Sequence, residues 1–222
     1  MDINDPKIVT LIAKVTAAEQ EFDMAVRFHE VWKPAAYDDA LHRRLGTSFA
    51  TQAFLITRAA LRREMLLALM RLWDTNKQSV RIESIATILR DGQVIDALAL
   101  DRAHNVGFTD VVYAMRDDLS KRADKAIQIL DKYMDGGSHH PVMKSLRTLR
   151  HERLAHRQVV PAIASAASAT DDEIEEFYQD NAKLIETLLH LVKAIAHDTE
   201  GTANVYSFYA HQFWNRVGEQ QR

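Results

Sequence analysis

Residues 54–74 read FLITRAALRREMLLALMRLWD, which is the most apolar helical pattern in the chain. The stretch contains neither Gly nor Pro, the residues that interrupt helices, and it is rich in Leu, Ala, Met and Arg, which favour them. Thr47 or Ser48 can cap the start of this helix, and Trp73-Asp74 stands at its end. Because so much of its surface is apolar, we predict that this helix lies at the centre of a helical bundle.

The remaining sequence is also typical of helices. The 222 residues include only seven Gly and four Pro, fewer than the turns of a β-rich fold need. Apolar spacing and cap residues predict further helices over residues 6–34, 37–45, 81–90, 93–134, 141–157 and 171–197, and a last aromatic helix after residue 201. Breaks are expected near residues 105–107 and at Asp135-Gly136-Gly137-Ser138. No strand-like alternation occurs, so we predict an all-α chain: one antiparallel helical bundle with extra peripheral helices, forming a single domain over residues 1–222.

The composition excludes several kinds of chemistry. The chain has no Cys, so disulfides, thiolate metal sites and Cys nucleophiles are excluded, and a reducing compartment such as the cytoplasm is expected. No signal-peptide pattern opens the sequence and no apolar run approaches about 18 residues, so no membrane association is expected. A net charge of −3 excludes a globally basic nucleic-acid binder but allows a local basic patch. The ten His residues lack the spacing of metal ligands and no phosphate-binding Gly motif occurs, so we predict neither a metal nor a cofactor.

One predicted helix concentrates positive charge in this acidic protein. Residues 144–157 contain five basic side chains and one acidic side chain, for a net charge of +4. The basic residues are Lys144, Arg147, Arg150, Arg153 and Arg157, and His151 and His156 lie among them. Arg binds phosphate oxygens through paired hydrogen bonds, and His exchanges a proton near neutral pH, so the run suits phosphate chemistry.

An ordinary solvated surface is the alternative interpretation of the same charges. An acidic run follows in the sequence, at Asp171, Asp172, Glu173, Glu175, Glu176 and Asp180. The two runs would complement each other electrostatically without binding any ligand. Charge alone therefore does not assign a function to the basic helix.

The order of residues in the basic helix resembles the signature of the HEPN superfamily, the higher eukaryote and prokaryote nucleotide-binding domains. Leu149-Arg150-His151-Glu152-Arg153-Leu154-Ala155-His156-Arg157 contains an Arg, a polar residue directly after it, and a His further along the same helix. The apolar helix that ends in Arg71-Leu72-Trp73-Asp74 resembles the abortive-infection AbiU-like branch of the superfamily. Only residues 150–157 are specific to the motif, and residues 81–134 match no named pattern.

The resemblance implies a metal-independent endoribonuclease of a phage-defence or toxin–antitoxin system, with RNA as substrate. Arg150 and His156 would be catalytic, and His151 would be the polar motif residue. Lys144, Arg147, Arg153 and Arg157 would bind RNA. The resemblance also implies a homodimer, in which two copies of the motif helix meet and supply both an acid and a base, and a partner such as a cognate antitoxin or nucleotidyltransferase. The apolar helix and the aromatic segment Tyr206 to Trp214 both offer surface for dimerisation, and the sequence does not choose between them.

Two other functions remain open at this stage. The chain could be a non-catalytic RNA-binding or regulatory dimer of the same fold, because a fold does not fix a function. It could also be the regulated member of a pair, with a neighbouring protein masking or modifying its site. An RNA cleavage assay in chelator that compares wild type with His156→Ala separates catalysis from binding.

Overall fold

A computed structural model describes residues 2–46, 50–76, 79–107, 109–150 and 169–217. Of these residues 84% are helical and none lies in a strand, which confirms the all-α prediction. The helices are α1 (Pro6–Tyr37), α2 (Asp39–Leu45), α3 (Ala50–Leu72), α4 (Ile82–Leu89), α5 (Gly92–Asn105), α6 (Val112–Tyr133), α7 (His140–Leu149), α8 (Asp171–Leu188) and α9 (Thr199–Arg216). No helix in the described part of the chain is both long enough and apolar enough to cross a membrane.

Local sequence signals set several helix boundaries as predicted. α1 begins at Pro6, and α2 ends at Leu45, directly before Gly46, which has a positive φ of 37°. Gly136, after α6, has a φ of 81°, a conformation that Gly adopts without steric cost. α8 begins with a complete capping box: the Thr170 hydroxyl accepts a hydrogen bond from the Glu173 N–H, and the Glu173 carboxylate accepts one from the Thr170 N–H.

Two predicted helix ends were wrong. α1 does not end at Pro34 but continues to Tyr37, because this extra turn buries Ala35 completely. α8 does not continue to residue 197 but gives way after Leu188 to a π-helical turn, Leu189–Lys193, which ends at Ala194 with a positive φ of 56°. The predicted helix over 141–157 is observed only as far as Arg150, because residues 151–157 lie outside the described residues.

Burial is uneven along the apolar helix α3. In the first half of α3, Ile56 is 70% exposed and Leu55 is 38% exposed. The buried side chains are concentrated in the second half, where Met65, Leu69 and Leu72 are almost fully covered. The high apolar content of α3 therefore does not show which half of the helix is buried, because both halves are rich in apolar residues.

The contacts divide the chain into two compact units. Unit 1 comprises Met1–Gln20 and Met70–His197, and it contains α4 to α8; α6 packs against both α5 and α8. Unit 2 comprises Glu21–Leu69 and Asp198–Arg222, and it contains α2 and α9. Its core includes Leu41, Leu45, Phe54, Ala210 and Trp214. That the 222 residues form a single domain stays a prediction.

Candidate functional site

α7 carries the first part of the basic run and is firmly packed against the rest of unit 1. Its apolar face is formed by Val142, Met143 and Leu146, which are all buried, and α7 packs against α6. Arg150 directly follows α7 with helical backbone angles (φ −58°, ψ −50°). Arg147 and Arg150 are three residues apart and therefore lie on the same side of the helix.

Arg150 forms an ion pair with Asp74, which directly follows the end of α3 and Trp73. Its Nη2 atom donates to Oδ2 of Asp74 at 2.8 Å, and the two side chains are only 22% and 23% exposed. The hydrogen bond from Arg150 lowers the pKa of Asp74 below its ordinary value, and the N–H of Asn76 adds to the effect. The pair therefore joins Asp74 to Arg150, and each of these residues belongs to a stretch of sequence that carries the family resemblance.

A buried network next to Asp74 fixes its position. Trp73 is 1% exposed, and its Nε1 atom donates to Oδ1 of Asn181 at 2.9 Å. The amide of Asn181 donates in turn to the carbonyl of Phe177 at 2.7 Å, within α8. The Trp73 ring also contacts the rings of Tyr133 and Phe177, at centroid distances of 5.7 and 5.9 Å. Because Trp73 is held on all these sides, the carboxylate of the next residue meets Arg150 from a rigid backbone.

A second ion pair holds Arg147. Its Nη2 atom lies 2.5 Å from Oε1 of Glu83, in the first turn of α4. Lys144, one turn earlier on α7, is exposed. Two of the three described cations of the basic run thus have acidic partners, which reduces the local positive charge without removing it.

The structure does not bring the full predicted site together. His151, Arg153, His156 and Arg157 lie in residues 151–168, outside the described part of the chain. The described chain resumes at Ala169, whose N–H donates to the Ser145 hydroxyl on α7 at 2.8 Å. The start of α8 is therefore close to the helix that carries Lys144, Arg147 and Arg150.

Sequence reasoning missed a charged cluster between α6 and α8. The Nζ atom of Lys132 lies 2.6 Å from Oε1 of Glu176 and 2.5 Å from Oδ2 of Asp180, and the Tyr133 hydroxyl donates to Oδ2 of Asp180 at 2.9 Å. His139 lies 3.3 Å from Glu176. Burial, reinforced by the Asp180 carboxylate, raises the pKa of Tyr133 far above its ordinary value, so the phenol stays protonated. Two members of the acidic run therefore bind α6 and His139, and this pairing has no local sequence signal.

The described residues contain no group of three or more His, Asp or Glu side chains placed to share a metal ion. The charged side chains near Arg150 are instead arranged as separate ion pairs. In these pairs a carboxylate orients a guanidinium group, and an oriented guanidinium group can bind an anionic ligand.

Comparison of the sequence with models of known protein families identifies the family of this chain. A family model described as AbiU2 matches residues 8–213, nearly the whole chain. The chain belongs to the AbiU2 family. AbiU2 is a HEPN-type abortive-infection family, which confirms the resemblance drawn from the motif helix. The AbiU2 match includes the Asp74 and Arg150 segments, and also residues 81–134, which no motif accounted for. No curated protein and no solved structure shows significant similarity to the chain.

Proposed function

We propose that this AbiU2-family protein is a metal-independent endoribonuclease of a phage-defence or toxin–antitoxin system. The observation that carries the proposal is the partly buried ion pair between Asp74 and Arg150, which orients the first residue of the Arg–His motif. His156 follows six residues later in the sequence and supplies the titratable group. The match to an abortive-infection family supports a role in defence.

The reaction uses a nucleophile that RNA itself provides. A base removes the proton of the ribose 2′-hydroxyl, the 2′-oxygen attacks the adjacent phosphorus, and the bond from phosphorus to the 5′-oxygen breaks. An acid protonates that leaving oxygen, so the products are a 2′,3′-cyclic phosphate and a 5′-hydroxyl. His156 transfers the proton, which contributes about 10²–10⁴-fold to the rate. Arg150 stabilises the negative charge that develops on the phosphate oxygens.

A homodimer would complete the acid–base pair. One chain offers one motif His, whereas the reaction needs a base and an acid. A twofold axis near the motif helices would bring two copies of Arg150 and His156 together. Lys144, Arg147, Arg153 and Arg157 would hold the RNA backbone on either side, and a cognate antitoxin or nucleotidyltransferase would restrain the activity.

The pairing with Asp74 is compatible with phosphate binding. A guanidinium carries five N–H donors. Asp74 accepts from Nη2, and no second side chain in the described part of the chain accepts from this guanidinium. Asp74 therefore acts as a positioning residue: it fixes the plane of the Arg150 side chain and leaves other donors for phosphate oxygens.

A non-catalytic RNA-binding or regulatory dimer is the second candidate function. It is favoured by the fact that both Arg147 and Arg150 already have carboxylate partners. A paired guanidinium attracts a phosphate less strongly than an unpaired one. In this case the protein would bind RNA through its basic helix without cleaving it.

Cleavage of RNA in excess chelator distinguishes the two functions. We expect wild type to cleave and His156→Ala to bind RNA without cleaving it. His104→Ala is the matched control, because His104 is an exposed histidine at the end of α5. Equal cleavage by wild type and His156→Ala, in nuclease-free preparations, would show that the assignment of His156 is wrong. RNA binding without cleavage by wild type would favour the non-catalytic dimer.

A further inference from the structure

α9 carries an exposed apolar face that the proposed function does not use. Four large side chains on it are each about half exposed or more: Val205 (50%), Phe208 (60%), Tyr209 (58%) and Phe213 (55%). Since an aromatic side chain has roughly 150–250 Å² of surface, the face exposes on the order of 400 Å² of apolar area. This is as large as the largest apolar patch of a typical monomer, and such patches mark interaction sites.

The opposite face of α9 anchors the helix in unit 2. Ala210 and Trp214 are buried, and the Trp214 indole donates to the carbonyl of Val31 at 2.8 Å. Arg44 donates to the Trp214 carbonyl at 2.8 Å. The exposed face is therefore presented by a helix that is fixed on its other side, so a partner would meet a preformed surface.

The exposed face has the spacing of a helix–helix seam. Six positions succeed one another at alternating intervals of four and three residues, the repeat with which two helices pack side by side. These positions, which we call the α9 seam, are Asp198, Thr202, Val205, Tyr209, Gln212 and Arg216. Asp198 is the N-cap residue of α9 and Arg216 is its last residue, so the seam has an acidic start and a basic end.

This polarity makes the seam complementary to a second copy of itself in antiparallel orientation. When two copies are centred on residue 207, Asp198 of one copy faces the partner's Arg216, Thr202 faces the partner's Gln212, and Val205 faces the partner's Tyr209. Opposite charges then meet at both ends, and apolar side chains meet in the middle. The helix dipoles also oppose each other, which favours the antiparallel arrangement.

Charge disfavours the alternative, parallel arrangement of the two copies. A surface cleft lined by Phe208, Gln212, Phe213, Arg216 and Val217 lies at the basic end of the seam. In a parallel pair, by contrast, Arg216 would face the partner's Arg216 and Asp198 would face the partner's Asp198, and both contacts are repulsive.

We propose that α9 is a self-association surface, on which two copies of this chain pair antiparallel through the α9 seam. The α9 contact is a separate pairing from the homodimer of the proposed function, since no residue of the motif helix belongs to the seam. The apolar area is modest for an interface, so we expect a dimer that dissociates in the micromolar range.

Light scattering and sedimentation over a range of protein concentrations test the charge pairing. Arg216→Asp places two like charges at each end of the seam, and we expect dimerisation to weaken by about tenfold or more. Arg43→Asp is the matched control, because Arg43 is an exposed arginine in the last turn of α2, also in unit 2. The compensating variant Asp198→Lys/Arg216→Asp restores opposite charges and should restore much of the dimer. Because Asp198 also caps α9, circular dichroism must show that the helix persists in this variant.

Cross-linking tests the orientation without relying on Asp198. The chain has no Cys, so single introduced thiols report one position each. In the antiparallel pair, Thr202→Cys should form a disulfide with Gln212→Cys when the two variants are mixed. Neither variant should cross-link to itself, because equivalent positions are offset by ten residues, or about 15 Å along the helix, beyond the reach of a disulfide. Predominant self-linking of each variant, or a wild type that is monomeric at all concentrations, would overturn the proposal; in the latter case the face would serve a different protein.

Discussion

The Oδ2 atom of Asp74 accepts a hydrogen bond from Nη2 of Arg150 at 2.8 Å, across 76 positions of sequence. This contact connects the end of α3 with the residue that follows α7, and both side chains are largely shielded from solvent. An ion pair in such a setting is less screened than a surface pair, so it can fix the direction of the guanidinium. Asp74 is therefore the residue that fixes the direction of the Arg150 side chain.

Substitutions of this pair should separate positioning from catalysis. Arg150→Ala is expected to abolish RNA cleavage, and Arg150→Lys should restore little of it, because an ammonium cannot make the planar two-point contact with phosphate. Asp74→Asn keeps the shape of the side chain but removes its charge, so it should lower kcat and leave KM nearly unchanged. Steady-state cleavage kinetics give both constants, and Glu64→Gln, which removes the same charge from an exposed pair with Arg63, serves as the control. A normal kcat for Asp74→Asn would remove the positioning role.

The Asp74 carboxylate should also contribute to stability in a pH-dependent way. Its pKa is lower in the folded protein than in the unfolded chain, because Arg150 and neighbouring N–H groups favour the charged form. The contribution is therefore present above the unfolded pKa, about 3.9, and it is lost as the pH falls through the lower folded pKa. Urea unfolding of wild type and Asp74→Asn should show wild type more stable by about 1 kcal/mol near neutral pH, and the difference should vanish in acid. A difference that does not change with pH would show that the pair does not control this titration.

The buried bond between Trp73 and Asn181 gives a stability prediction that does not depend on RNA. Asn181→Ala leaves the buried Trp73 Nε1 donor without its partner and removes the side-chain bond to the Phe177 carbonyl, and we expect it to destabilise the protein by about 1–3 kcal/mol. The same substitution in a Trp73→Phe background should cost less, because the indole donor is already gone. Urea denaturation of the four proteins of this cycle measures the coupling. Strictly additive losses would mean that the hydrogen bond contributes nothing.

Local signals accounted for most of the fold because they act within a few residues. The start of α1 at Pro6, the positive φ of Gly136 and the capping box of Thr170 and Glu173 are all satisfied by their own neighbours. The end of α8 is different. Arg102 on α5 donates to the carbonyl oxygens of His190 and Leu191 in the π-helical turn, 88 and 89 positions away. A contact between residues so far apart in sequence cannot be predicted from a local pattern.

The candidate site was predictable only in part, for the same reason. The sequence singled out Arg150 and the end of α3 separately, since each lies in a stretch that resembles a pattern of the HEPN superfamily. That Asp74 binds Arg150, and that Glu83 binds Arg147, depends on how α3, α4 and α7 pack. The roles of His151, His156, Arg153 and Arg157 stay predictions.

The chemistry of the proposed reaction makes a prediction about its products. Cleavage should leave a 2′,3′-cyclic phosphate on the upstream fragment, because the 2′-oxygen is the nucleophile. Replacing the ribose at one cleavage site by 2′-deoxyribose should abolish cleavage there and leave the other sites unaffected. Mass spectrometry of the fragments identifies the end group. Cleavage of a DNA strand of the same sequence would contradict the mechanism, because DNA lacks the nucleophile.

The ion pair between Arg147 and Glu83 predicts that RNA affinity can be raised as well as lowered. In the His156→Ala background, which prevents cleavage, Lys144→Ala should weaken RNA binding because it removes an exposed cation from α7. Glu83→Gln should strengthen binding, because it releases the Arg147 guanidinium to contact phosphate, and the slope of log affinity against log salt should steepen by about 0.7 for single-stranded RNA. Glu64→Gln removes the same charge from an exposed pair with Arg63 in unit 2, so it controls for net charge. Fluorescence anisotropy over a salt series measures all three variants. If Glu83→Gln behaves like Glu64→Gln, Arg147 is a structural residue and the RNA path does not include it.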